Sequence, residues 1–459
     1  MGRKNRQKGK NSDDDGDDND GDLGDDYTIA DDDEFGGGGG GGDDLDFDQP
    51  LGDDYESSDL NDDKFRSCLS GAAEIPYEKK GKTRLQAYKN LFRALSQYSI
   101  GENSGEILES SLDSVVGSCL AGLRNSAPEQ YACCRCLEVL SILLGNPQDE
   151  YFSRVSEPLR VCVRAMGNPA MVRSAALRAL SMCAFICCSD QVEGDKVMDL
   201  CEECCKSKWR GTAVPSALRS SALMSWGLLA TTIGDGEIAS SEGGRGVEIL
   251  SILQSCLEES DAELRSSAGE CFALIHESRL NLGLTNTDEM GSETNATSRR
   301  YRSGSWDGSD WETLIDEVRQ RMSELSVESG HHLSKKAKKL QRSTFREYMS
   351  TVCDDEPPEI TVKFPGGSLT LTSWREIKQL DFVRHCLQSG FLPQMMNNET
   401  LQEIFGADPD VLNDSNLTKL GRVDKRLLLS KNSDASKQST KDMKKKRGVK
   451  ENRNNYYED

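Results

Sequence analysis

The chain has 459 residues and a formal net charge of −22, from 78 Asp and Glu against 56 Lys and Arg. The imbalance is local: residues 11–63 carry 23 Asp and Glu and no Lys or Arg, so the remainder is close to neutral. Of 16 cysteines, 13 lie between Cys119 and Cys271 on apolar helical faces; in a long chain without a signal peptide, a reduced interior is expected rather than a disulfide-stapled secreted scaffold. No uninterrupted apolar run reaches the ~18 residues of a membrane span, so no membrane contact is expected. Arg6 stands where a myristoylation signal needs Ser or Thr.

Residues 1–63 open with a basic decapeptide, turn Asp-rich and include a glycine run from Gly36 to Gly42. A segment this polar cannot bury enough apolar surface to offset its ordering entropy, and disorder is expected. It reads as a solubilising acidic tail, with Tyr27, Phe35, Phe47 and Tyr55 as points that a partner could grip.

From residue 64 to 280 the apolar spacing becomes helical and repeats. FRALS at 92–96, LEVLS at 137–141, LRALS at 177–181 and LMSWG at 223–227 follow one another at 45, 40 and 46 residues. LRSSA recurs at 218–222 and 264–268, again 46 residues apart. Between the copies, residues 107–123, 152–166, 195–205 and 247–257 each carry an apolar stripe of their own. A period in the forties with two helices per unit predicts a HEAT- or armadillo-type array of about five helical hairpins. Ala175, Ala176, Ala179, Ser221, Ala222, Ser267 and Ala268 permit close helix approach, and the breaks fall at Gly145, Pro147, Gly167, Pro169, Gly234 and Gly236. Such a curved rod offers a long surface rather than a pocket.

Residues 281–328 form a linker with one helix. Its first part, to residue 309, loses the apolar period; Arg299, Arg300, Arg302 and Trp306 there read as a solvated connector. Residues 310–325 then predict a helix with Ser309 and Glu312 as its cap and Trp311, Leu314, Ile315, Val318 and Met322 on one side, placed to dock the C-terminal module onto the rod.

Residues 329–406 predict that module, a small α+β unit. It opens with a helix on which Lys335, Lys338, Lys339, Arg342 and Arg346 share an arc of about 100°, while Ala337, Leu340, Thr344, Tyr348 and Val352 gather on another side as the packing face. Alternating residues at 359–363 and 368–372 flank Pro365, Gly366 and Gly367, a β-hairpin pattern. Ser373 and Glu376 form a capping box ahead of Trp374, Ile377, Leu380, Val383 and Leu387, an amphipathic helix ending near Gly390. The tail, residues 407–459, is basic and mostly disordered; Lys444, Lys445, Lys446 and Arg447 suit an import signal or a phosphate-binding arm.

Enzymatic chemistry finds no foothold. Nucleophile, base and orienter assemble nowhere, and the Gly243 to Gly246 run lacks the preceding strand and the Lys-Ser/Thr of a phosphate loop. Cys201, Cys204 and Cys205 have one pair at zinc-like spacing but no second pair, and read, like Cys133, Cys134 and Cys136, as core positions. His331 and His332 read as a solvated turn. No cofactor and no small-molecule substrate are expected.

The run SKKAKKLQRSTFR at 334–346, Ser373 with Trp374, LQSG at 387–390 and NNETLQEIFG at 397–406 together resemble the C-terminal region of the interferon-related developmental regulator family. The likeness is close over residues 329–406, looser over the helices before it, and absent from the first sixty. One departure stands out: where the family is expected to place histidines after Gly390, this chain has Phe391, Leu392, Pro393 and Gln394. The resemblance implies two settings, transcriptional co-regulation in the nucleus and ribosome-associated silencing of translation. Together with the cationic arc and the tail, it leads to the expectation of a non-enzymatic helical-repeat scaffold, monomeric when free, in cytoplasm and nucleus, whose partners are the ribosome or another ribonucleoprotein and regulatory proteins. The alternative is a scaffold that binds only proteins of chromatin or signalling, with its basic stretches used for nuclear import.

Overall fold

The computed structural model describes residues 62–98, 104–145, 147–239, 245–283, 308–327, 334–364 and 368–408. Helical hairpins follow one another along these segments: α1 (Asp62–Gly71) with α2 (Gly81–Gln97), α3 (Ser104–Gly122) with α4 (Ala127–Leu144), and α5 (Asp149–Arg164) with α6 (Ala170–Cys187). Next come α7 (Gln191–Cys205) and α8 (Ser216–Ala230), joined by the two-stranded turn of β1 (Lys208–Trp209) and β2 (Thr212–Ala213). After the single turn α9 (Asp235–Ala239), α10 (Arg245–Leu257) pairs with α11 (Ala262–Asn281), and α12 (Gly308–Val327) with α13 (Lys335–Asp354).

The second helix of each hairpin packs on the second helix of the next, so α2, α4, α6, α8, α11 and α13 form one continuous inner layer. All five motif copies fall on this layer, and Leu177, Leu223 and the small residues from Ala175 to Ala268 are buried in it. Five hairpins thus lie between residues 62 and 281, as the period predicts, and among the described residues the fold is all-α apart from two small two-stranded sheets. α12, read as a linker helix, is instead half of a sixth hairpin; it starts at Gly308, before the expected Ser309 cap. α6 has the length and mean hydropathy (1.5) of a membrane span despite Arg173 and Arg178, but 83% of it is buried among its neighbours, as befits the central helix of an array. Cys201, Cys204, Cys205, Cys133, Cys134 and Cys136 all lie in the core, where burial pushes the Cys201, Cys205 and Cys134 thiols well up.

A helix leaves its last carbonyls without intrahelical partners, and this array answers with a repeated device. The fourth residue of five inner helices donates to a carbonyl at the end of the outer segment before it. Arg84 reaches Glu78 O (2.7 Å), Gln130 reaches Leu123 O (2.9 Å) and Arg173 reaches Val163 O (2.8 Å). Arg219 reaches Cys205 O (2.9 Å) and Arg265 reaches Glu259 O (2.8 Å). The arginine of the LRSSA repeat is therefore a bracket between the two layers.

The chain then doubles back. Strands β3 (Ile360–Lys363) and β4 (Ser368–Leu371) pair with Ile360 opposite Leu371, at the predicted hairpin. α14 (Trp374–Leu387) begins where the capping box predicts: Ser373 Oγ accepts from Glu376 N, while the Glu376 carboxylate reaches Thr372 N rather than its own cap. α14 crosses α11, α8 and α4, and the turn at 388–390 with α15 (Phe391–Asn397) lies on α2. α16 (Glu399–Ile404) completes a strap that covers the inner layer from its last hairpin to its first. The open surface expected of the rod is here occupied by the chain itself.

Large apolar side chains bury the strap, among them Trp374, Phe382, Phe391 and Leu401, but its register is set by polar contacts with helix ends. Glu277 on α11 accepts the N–H groups of Trp374 (2.8 Å) and Arg375 (3.2 Å) at the start of α14. Arg375 donates to Thr231 O and Ile233 O beyond α8 and pairs with Asp235. Arg135 on α4 donates to His385 O (2.9 Å) and Cys386 O (3.0 Å) at the end of α14 while bound to Glu138 at 2.5 Å. Gln394 spans the last carbonyls of α2, with 2.8 Å to Tyr98 O, and Asn398 donates to Ile142 O of α4 at 3.1 Å. At Gly390 a Cβ would sit 2.0 Å from Ser96 O, so only glycine lets the strap approach α2 this closely.

The packing sets two stability outcomes. Leu177→Ala or Leu223→Ala should each cost about 2 to 5 kcal/mol through the cavity left behind, read from urea denaturation; an unchanged midpoint would displace these residues from the core. Burial works against the charge of Arg135 and the Glu138 carboxylate restores it. Glu138→Ala would strand that guanidinium and should cost about 3 to 5 kcal/mol, whereas a loss below about 1 kcal/mol, the worth of a surface pair, would show that the pair is not what holds α14 to α4.

Candidate nucleic-acid interface

α13 closes the array. Ser334 caps it through Ala337 N (3.2 Å), and Asp355 ends it in a left-handed conformation (φ 54°) beside His276. Gln341, Phe345, Tyr348 and Val352 are buried against the preceding hairpin and the strap. Arg265 donates to Gln341, Ser266 meets the Tyr348 hydroxyl, and the Trp374 ring meets Tyr348 edge to face at 5.3 Å. A Cβ at Gly269 would fall 2.8 Å from the Tyr348 ring, so that glycine sets how closely α13 docks.

The packing face differs from the one the sequence suggested. Leu340 is 55% exposed and Phe345 takes the buried centre, a rotation of about 50° at 100° per residue. The reason is the partner: the strap and α11 offer aromatic and polar groups that fit Phe345 and Gln341, not a leucine one turn away. The rotation brings the packing seam to the edge of the cationic arc. Lys338 and Arg342 are half-buried along it, while Lys339 and Arg346 stay exposed. None of these four forms an ion pair with a described residue. α13 itself begins at Lys335, whose side chain lies outside the description.

The order of charge along α13 opposes its macrodipole. Helix stability favours acidic residues in the first turn and basic ones in the last, each worth about 0.3 to 1 kcal/mol. Here the first turn holds no acid and the last no base; lysines crowd the start, and Asp354 and Asp355 sit at the end. A face that served only solubility would gain by the reverse order. Lys339 and Arg346 are exposed on this last helix of the array.

Lys444, Lys445, Lys446 and Arg447 lie outside the described residues. The segment that leads toward them is fixed at the other end of the inner layer, where Asn398 of the strap binds the end of α4. The described structure thus does not bring the two basic elements together. At the departure after Gly390, Phe391 and Gln394 are buried, and Gln394 spends its amide on α2. His331, His332 and the arginines near residue 300 also lie outside the described residues.

The sequence reading missed the hairpin of β1 and β2. Its two-residue turn places Arg210 at φ 49° and Gly211 at φ 81°, the mirror-image turn that hairpin twist favours. The signal was present in the Arg210-Gly211 pair, but strands so short leave no alternation to detect.

Known proteins are similar to this chain in sequence. The family model "Interferon-related developmental regulator (IFRD)" matches residues 43–353. Interferon-related developmental regulator 1 of Mus musculus is 25% identical over 387 residues, covering 81% of this chain and 78% of that protein. The Homo sapiens protein of the same name is 25% identical over 386 residues, with the same coverage. Interferon-related developmental regulator 2 of Mus musculus is 25% identical over 392 residues, covering 82% and 81%. A family match across most of the array, joined to the resemblance in the strap, establishes that this chain belongs to the interferon-related developmental regulator family.

Proposed function

We propose that this protein is a non-enzymatic regulator of gene expression that binds ribonucleoprotein through the cationic flank of α13. Membership of the family supports a regulatory role in development and gene expression; binding to the ribosome or another ribonucleoprotein is the finer reading. Its carrying observation is the charge of α13, cationic against its own dipole and without ion-pair partners among the described residues. Lys335, Lys338, Lys339, Arg342 and Arg346 supply affinity through counterion release, Lys444 to Arg447 act as a flexible second arm, and regulatory proteins use the outer helices. The protein works in cytoplasm and nucleus and is monomeric when free.

The protein-only scaffold is the weaker reading because the strap already covers the face that such an array would offer a partner peptide.

If all five cations touch RNA, log affinity should fall against log salt with a slope of roughly −3.5 to −4.5. The triple variant K338E/K339E/R342E should make that slope shallower by about 2 to 3 and release the protein from ribosome pellets, with its thermal midpoint preserved. Normal association by the folded variant would move the contact to the tail or favour the protein-only scaffold. The acidic segment should compete with RNA for these faces, since a tether can hold opposite charges at millimolar effective concentration. Deleting residues 11–63 is therefore expected to tighten RNA binding at low salt; an unchanged Kd would sink the competition.

A further inference from the structure

Among the bracket arginines, Arg84 forks onto Glu129, Arg219 meets Glu259 and Arg265 meets the Gln341 amide oxygen. Arg173 differs. It is only 5% exposed, its one hydrogen bond goes through Nε to Val163 O, and buried Nη2 has no partner among the described residues. No described carboxylate forms an ion pair with it, and burial lowers the pKa of the guanidinium accordingly. A nine-tenths buried cation without a counter-charge is costly unless something else supplies one.

Arg173 shares an aromatic ring with a second arginine, in a stretch of chain rich in exposed cations. Its guanidinium lies 5.4 Å from the centre of the Trp209 ring, and that of Arg210 lies 5.5 Å from the same ring. Lys206, Lys208 and Arg210 project exposed from the hairpin, Arg164 is exposed at the end of α5, and none has an ion-pair partner among the described residues. Exposed Glu203 is the nearby acid on α7, and it does not reach Arg173 at ion-pair distance. Arg210 occupies a left-handed position that Asn or Gly would fill with less strain. An arginine is held there at a local disadvantage, where it can share the Trp209 ring with Arg173.

The geometry points to a phosphate-binding site at the β1–β2 hairpin, formed by Arg173, Lys208 and Arg210 around Trp209, whose ligand is the backbone of single-stranded RNA. Guanidinium forks match phosphate oxygens, and several cations spaced along an exposed ribbon suit a chain of phosphates better than an isolated anion. Trp209 gives the ribbon a rigid floor. This site lies between the third and fourth hairpins, far along the array from α13, and it rests on the RNA-binding reading only for the identity of the polymer.

The full chain can test it. A labelled oligouridylate of about 20 nucleotides, a length that spans more than one local site, serves as probe, and Trp209 emission is isolated as the difference between the chain and its Trp209→Phe variant. RNA should shift that emission. The variant Lys208→Gln with Arg210→Asn keeps a turn-compatible residue at 210 and removes two cations; it should abolish the shift and make the salt slope shallower by about 1.4. The K338E/K339E/R342E variant should retain the shift, so loss of affinity there with the shift intact would support both sites. Normal affinity there, with the shift lost only in the hairpin variant, would leave this site standing and remove α13. Saturating RNA that leaves Trp209 emission unmoved would overturn the site. If deleting residues 11–63 shifts the emission of the RNA-free chain and RNA added to that deletion variant does not, the occupant is the protein's own acidic segment and the RNA assignment fails.

Discussion

The structure is governed by a problem that every stacked-helix array meets: helix ends accumulate along its edges, and each leaves carbonyl oxygens that water satisfies only where water can reach. A buried acceptor without a donor costs about 1 to 3 kcal/mol, and an array multiplies the number of ends. Two solutions operate here at once. The bracket residues, Arg84, Gln130, Arg173, Arg219 and Arg265, serve the outer segments. The strap serves the inner helices, with Gln394 on α2, Asn398 on α4 and Arg375 on α8. Arg135 works in the other direction and caps the strap itself. Apolar burial supplies most of the attraction, and these donors decide where along the array each helix may stop.

This division shapes what the surface can do. Once the strap lies on the inner layer, the flanks, the turns and the outer helices are the surface that remains. α13 presents cations on the terminal flank, and the β1–β2 turn presents a second group of them around Trp209. In both places charge is arranged at a local energetic disadvantage: against the macrodipole in α13, and in a left-handed arginine with an uncompensated buried neighbour in the hairpin. Such disadvantages persist only where the surrounding structure holds them in place, and they motivate the two binding sites proposed above.

Much of this was legible in the sequence because it is periodic. The spacing of Leu137, Leu177 and Leu223 marked the repeat register, Ser373 and Glu376 the start of α14, and the alternation around Ile360 and Leu371 the hairpin. What escaped was long-range. Periodicity around α14 showed an apolar stripe but could not say that Gln394 would meet Tyr98 across an interval of 296 residues. The face of α13 was misjudged for the same reason, since Leu340 is as apolar as Phe345 and only α11 and the strap distinguish them. The cations of α13 were found by their spacing; Arg173 was hidden because an arginine in a repeat looks alike whether or not its partner is present. Lys444 to Arg447 lie outside the described residues, so their role stays with the sequence.

The strap also imposes an order on the protein's birth. Helices α2 and α4 leave the ribosome some 250 to 300 residues before the segments that cap them, as the intervals of Asn398 to Ile142 (256) and Gln394 to Tyr98 (296) record. At about 5 to 20 residues per second that is a delay on the order of tens of seconds. During it the hairpins can stack, but the carbonyls of Leu95 and Ile142 lack their donors and the surface beneath α14 has no cover. A nascent chain in this state is a natural client for chaperones that hold apolar surface, and a premature stop anywhere before residue 374 would make that state permanent. Quality control of this protein therefore turns on the strap, which is the last of the described segments to be made and the one that completes the rest.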